Sequence, residues 1–196
     1  MNREKQDTVQ EKTESPKREE KTYRFEIRDK SWSYVFEWYR DISGLPFVGS
    51  AKPTGTVTIM PPIAKSQYTL GEITDLLNEA LLEQKYILVR RVASFTVLTA
   101  DQKIDPALLP RVRVEDLAMR GRTELVTVML PLKTVNAEDL GAEVKKMLGP
   151  FGDVAILEKF NQLILQDTAG NLRRIHEVIK DIEAREAEKK REKIAK

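Results

Sequence analysis

Residues 124–183 read ELVTVMLPLKTVNAEDLGAEVKKMLGPFGDVAILEKFNQLILQDTAGNLRRIHEVIKDIE, and this stretch decides the fold. Val126, Val128, Leu130 and Leu132 recur at the period of two that places one face of a strand on a core. Asn136 then stands at a helix start, ahead of AEDLGAEVKKML. There Leu140, Val144 and Met147–Leu148 share one face, and Glu138 and Asp139 suit the positive end of the helix dipole. Gly149-Pro150 stops that helix. Strands are expected at 154–157 and 163–165, joined through Phe160-Asn161. Thr168 caps a last helix with Leu172, Ile175, Ile179 and Ile182 on its buried face. The order is β-α-β-β-α.

Working outward, residues 23–99 form a first unit with its own changes of period. Tyr23, Phe25 and Ile27 alternate as a strand. Ser31 can cap a helix whose stripe is Trp32, Val35, Phe36 and Tyr39, with Gly44 as its C-terminal cap. A short strand is expected at Phe47–Val48 and another at Val57–Ile59. Thr69 and Glu72 make a capping box for a helix with Ile73, Leu77, Ala80 and Leu81 inward. Strands at 86–91 and 95–99, turning at Ala93-Ser94, close a β-α-β-β-α-β-β unit. The fold class is therefore α+β, with two small domains. Between them, at 100–123, Asp105-Pro106, Leu109-Pro110 and Gly121 break the periodicity, so this stretch reads as a linker holding one helical turn at 114–119.

The ends are charged. Residues 1–22 hold six basic and six acidic side chains and almost nothing apolar, a disordered polar segment by composition. Residues 184–196 continue the last helix as a solvated charged tail. Neither end has the apolar core of a signal peptide, and no run approaches the roughly 18 apolar residues that span a membrane.

Composition narrows the function. The chain has 196 residues, a formal charge of +2, no Cys and a single His. Thiolate nucleophiles, disulfides and Cys-based metal sites are gone, and so are sites needing two histidines. A charge of +2 makes no field strong enough to gather nucleic acid by itself. His176 sits beside Arg173 and Arg174, off the apolar stripe, and reads as a surface or salt-bridged side chain. No phosphate-binding glycine loop, nucleophile elbow or His-Glu-x-x-His occurs. No catalytic residue, cofactor or metal is expected.

Gly149-Pro150-Phe151-Gly152 has the spacing of the loop with which KH domains clamp a nucleic-acid backbone. Pro150 lacks an amide and the loop joins a helix to a strand, so a helix stop with Phe151 turned into the core is the plainer reading. Arg90-Arg91 reads as ordinary surface at a strand end. Tyr34 and Trp38 lie on the flank of the first helix and are candidate partner contacts. Helical spacing alone does not separate an interface from a core rim.

The second unit also resembles the periplasmic N1-type repeat of bacterial secretins. The likeness lies in Pro131-Leu132-Lys133, the helix start Asn136 to Leu140, Asn161 to Leu165, Asp167-Thr168, and Asn171 to Ile175 with Ile182-Glu183. The first unit is similar to the N0 domain of type II secretion secretins, a fold shared with the signalling domain of TonB-dependent receptors. That likeness rests on Phe25–Arg28, Ile42 to Leu45, Gly55 to Thr58 and Thr69–Leu82 followed by Tyr86. The resemblance implies a non-enzymatic scaffold of a type II-like secretion channel at the periplasmic face of the outer membrane. Its implied partners are further copies in a ring, an inner-membrane component and exported proteins, with no nucleic acid and no direct membrane insertion. The family's further repeats and β-barrel domain have no counterpart here, so the expectation is a segment of a longer secretin or a stand-alone receiving module. A cytoplasmic location stays open in the absence of a signal peptide. The alternatives are a KH-like nucleic-acid-binding protein and a TonB-type signalling module.

Overall fold

The computed structural model describes residues 21–51 and 53–194. Nearly all of the polar segment 1–22 lies outside the described residues.

Local chemistry sets each helix of the first unit. Helix α1 (Trp32–Ser43) starts where the Ser31 hydroxyl accepts the Tyr34 amide and stops where Gly44 adopts φ 67°, a left-handed turn that costs glycine little. Trp32, Val35, Phe36 and Tyr39 are buried as the spacing requires. Helix α2 (Leu70–Leu82) opens on the capping box. Thr69 Oγ1 accepts the Glu72 amide at 3.2 Å and Glu72 Oε2 accepts the Thr69 amide at 3.0 Å. The two helices pack among three two-stranded antiparallel sheets. These are β1 (Thr22–Tyr23) with β4 (Tyr68–Thr69), β2 (Ile27–Ser31) with β3 (Thr56–Ile59), and β5 (Tyr86–Arg90) with β6 (Phe95–Thr99).

Aromatic rings fill the core between them, with Phe36 stacked on Phe47 at 5.1 Å and Tyr39 edge-on to Phe95 at 4.8 Å. The Tyr39 hydroxyl donates to Thr74 Oγ1 at 2.8 Å, since Thr74 itself donates to the Leu70 carbonyl. Burial first, then the nearby Glu124 charge, hold the Tyr39 phenol well above the usual tyrosine range.

Two expected strands are corrected here. The run from Tyr23 to Ile27 is not one strand, because β1 and β2 pair with different partners and the chain between them is irregular, although Phe25 and Ile27 are buried. Phe47–Val48 makes only an isolated parallel bridge to Phe95, held by Val48 N to Phe95 O at 2.9 Å. The alternation was a record of burial rather than of ladder pairing.

The second unit is a four-stranded sheet in the order β7-β8-β10-β9. It comprises β7 (Arg111–Val112), β8 (Leu125–Pro131), β9 (Asp153–Leu157) and β10 (Gln162–Thr168). Helices α3 (Ala137–Met147) and α4 (Ala169–Ile194) cover one face. Val128, Leu165 and Val154 are cross-strand neighbours on that face, as are Leu130, Leu163 and Ile156. Asn161, at φ 50°, donates to the carbonyls of Leu132 and Val135 and accepts the Ala137 amide, so one left-handed side chain ties the β8–α3 connection to the β9–β10 turn.

Residues 100–123 are not a bare linker. They carry 3₁₀ turns at Pro106–Leu108 and Val114–Met119, and between these β7 joins the sheet parallel to β8. Ile104, Leu109 and Leu117 are buried. Prolines hid this in the sequence, since such short elements have no room to show a period. The two units also share a core: Ile87 and Val89 of β5 pack with Ile104, Leu109 and Leu125, while Leu88 faces the other way into the first core.

Candidate interaction surfaces

The junction between the units was invisible in the sequence and is densely hydrogen-bonded. Glu124 is 1% exposed and takes both Arg90 Nε at 3.0 Å and Arg90 Nη2 at 2.7 Å. It also accepts Arg120 Nη1 at 3.1 Å and the Gly121 amide at 2.7 Å. A buried carboxylate needs this many donors to replace its water. Arg90, expected at an ordinary surface, is thereby a structural cation; a strand-end arginine acquires that role only when another segment brings a carboxylate to it. On the other side of the same turn, Asp75 accepts the amides of Arg122 and Thr123 and the Thr123 hydroxyl, each within 2.8 Å. Asn78 spans from Thr123 Oγ1 to both backbone groups of Leu88. The carbonyls of Glu124 and Arg122 accept the first amides of α4, from Ala169 and Gly170. Gly121 lies so close to Gly71 that a Cβ on Gly71 would stand 2.9 Å from the Gly121 nitrogen.

The residues singled out from sequence are scattered. Tyr34 is 48% exposed, with Lys30 Nζ over its ring at 5.0 Å. Trp38 is half-buried and packs on Phe25 at 5.4 Å. His176 is 33% exposed, with Nδ1 3.9 Å from Glu177 Oε1. Among the described residues no group of three or more His, Cys, Asp or Glu side chains is placed to hold a metal ion. In the Gly149–Gly152 loop the Gly149 amide donates to Asp167, the Gly152 amide to the Gly149 carbonyl, and the Phe151 carbonyl accepts Gln166. Phe151 packs against the shared core. The Gly149 and Gly152 amides, which a nucleic-acid clamp would offer, are thus engaged inside the fold.

The open surface is elsewhere. Opposite its helices, the second sheet presents Met129, Ile164 and Ala155 as direct cross-strand neighbours, with Pro131, Gln162 and Leu157 in the next row. Met129 is 38% exposed, and Val178 on the outer side of α4 is 37% exposed. One module thus offers an apolar sheet face and a helix face pointing away from it. Such a pair of unlike faces suits head-to-tail association.

Residues 127–188 match the family model described as the bacterial type II/III secretion system short domain. No curated protein matches the chain. Among solved structures, a chain of the Klebsiella pneumoniae type II secretion system outer membrane complex (PulD, PulS and PulC HR domain) is 14% identical with a TM-score of 0.56, covering 80% of this chain and 26% of that one. The N-terminal domain of the secretin XcpQ from Pseudomonas aeruginosa is 16% identical with a TM-score of 0.34, covering 83% of this chain and 66% of its own. The GspC-GspD complex from the type II secretion system of enterotoxigenic Escherichia coli is 16% identical with a TM-score of 0.35, covering 84% and 99%. The chain therefore spans just under two-thirds of the XcpQ structure and about a quarter of the K. pneumoniae chain. Residues 127–188 thus carry a likeness to the short domain of bacterial type II/III secretion systems, and the chain shares the fold of the K. pneumoniae secretion-complex chain.

Proposed function

We propose that this chain is a non-enzymatic scaffold and interaction module of a secretin-type, type II-like secretion channel on the periplasmic side of the outer membrane. Copies pack side by side in a ring, and the module contacts an inner-membrane component and exported proteins. The observation that carries this reading is the match at residues 127–188, laid on a sheet whose open apolar face and outward helix belong to one unit. The K. pneumoniae complex of the same fold includes a PulC HR domain beside PulD and PulS, which supports contact with further components of a secretion machine. A module this small buries little area per neighbour, so isolated copies associate weakly and the ring needs many contacts at once.

The chain has no cysteine, so introduced ones report contacts without background. Ile164→Cys on the open sheet face and Val178→Cys on α4, combined in one chain, should give a disulfide ladder of multimers at high protein concentration. Each substitution alone should give monomer, because the contact joins unlike faces. Absence of a ladder, or dimers from the single substitutions, would sink the head-to-tail packing.

A further inference from the structure

Strand β7 stands between the two units, and on its side toward the first unit lies an open cleft of about 560 Å³. Lys21, Arg90, Arg111, Arg113 and Arg120 line it, with Asp116 as its one carboxylate among the described residues. Arg113 is held by Asp116 at 2.9 Å, and Arg90 and Arg120 are fixed from behind by Glu124. Lys21 and Arg111 have no hydrogen-bond or ion-pair partner among the described residues. The backbone is extended from Arg111 through Arg113, so these two side chains leave it on the same side. The floor is apolar, made by Tyr23, Leu70 and Met119.

Arg120, already oriented by Glu124, loses little freedom when it binds an anion, Arg111 brings a charge not engaged among the described residues, and the arginine fork matches a carboxylate in two-point geometry. The cleft is short, and Tyr23 is the single aromatic ring in its lining. That is poor provision for tracking a nucleic-acid backbone with stacked bases. We propose that the cleft binds an extended acidic segment of a partner protein, with carboxylates on Arg111 and Arg120 and an intervening apolar side chain on the floor. The binding does not depend on ring assembly, since every lining group belongs to one chain.

Fluorescence anisotropy of a labelled (Asp-Glu-Leu)4 peptide titrated with the full chain tests this. Saturable binding at low salt should weaken about tenfold or more in the Lys21→Glu, Arg111→Glu double variant. It should weaken by a smaller factor in Lys21→Gln, Arg111→Gln, and stay unchanged in Lys145→Glu on α3. Circular dichroism melts of each variant should overlay that of the parent chain. No binding at low salt, or equal binding by the charge-reversed variant, would overturn the proposal. Tighter binding of an oligothymidylate of equal charge, lost in the same variant, would also overturn it and make the cleft a nucleic-acid site.

Discussion

Glu124 shows how much one side chain decides. Its carboxylate lies among two arginines and an amide, nearly all of it out of water. Removing it leaves two partly buried guanidiniums facing each other without a counter-charge. Glu124→Ala should therefore cost about 3 kcal/mol, read as a fall in the urea midpoint at unchanged slope. A loss under about 1 kcal/mol would mean that water replaces the carboxylate without strain. Gly121 is equally constrained, because a side chain there would run into the Gly71 carbonyl and the Asp75 carboxylate. Nothing about Glu124 or Gly121 stands out along the chain. Both look like turn residues, and their role exists only because α2 and β5 of the first unit arrive at the same place.

At the scale of elements, the helices were legible and the short strands were not. Ser31, Gly44, Thr69 with Glu72, and Asn136 act through neighbours a few residues away, so their meaning is complete in the local sequence. β4 and β7, two residues each, depend on partners far along the chain and left no period to read. The open face of the second sheet could be expected from the alternation in β8, but its covered upper end at Leu125 could not. Local caps also give local tests. Thr69→Ala should destabilise by about 1 kcal/mol, since it leaves the Glu72 amide without its acceptor. Partial burial pushes the Glu72 carboxyl up, yet the hydrogen bonds from Lys65 and from the Thr69 amide, with the Lys65 charge, outweigh it and hold the group below the ordinary carboxylate range. The unfolded chain then takes up that proton first as pH falls. Stability from Glu72 is complete above the ordinary carboxylate pKa and disappears as pH drops through the depressed one. The gap in urea midpoint between the parent chain and Glu72→Gln should narrow steadily over that window; a pH-independent gap would remove ionisation as its cause.

For the whole molecule, the shared core and the bonded turn at 120–124 predict one unfolding transition rather than two. Far-ultraviolet circular dichroism and tryptophan fluorescence should report the same midpoint, although both tryptophans, Trp32 and Trp38, are in the first unit. Separate midpoints would show that the units melt independently. The same turn has a mechanical consequence. Its backbone is anchored on one side to α2 and on the other to the first amides of α4, so bending at this point requires several bonds to break together. A push delivered to the first unit therefore arrives at the second as torque. The pair swings as a lever, with the 26-residue α4, roughly 40 Å of helix, as its arm.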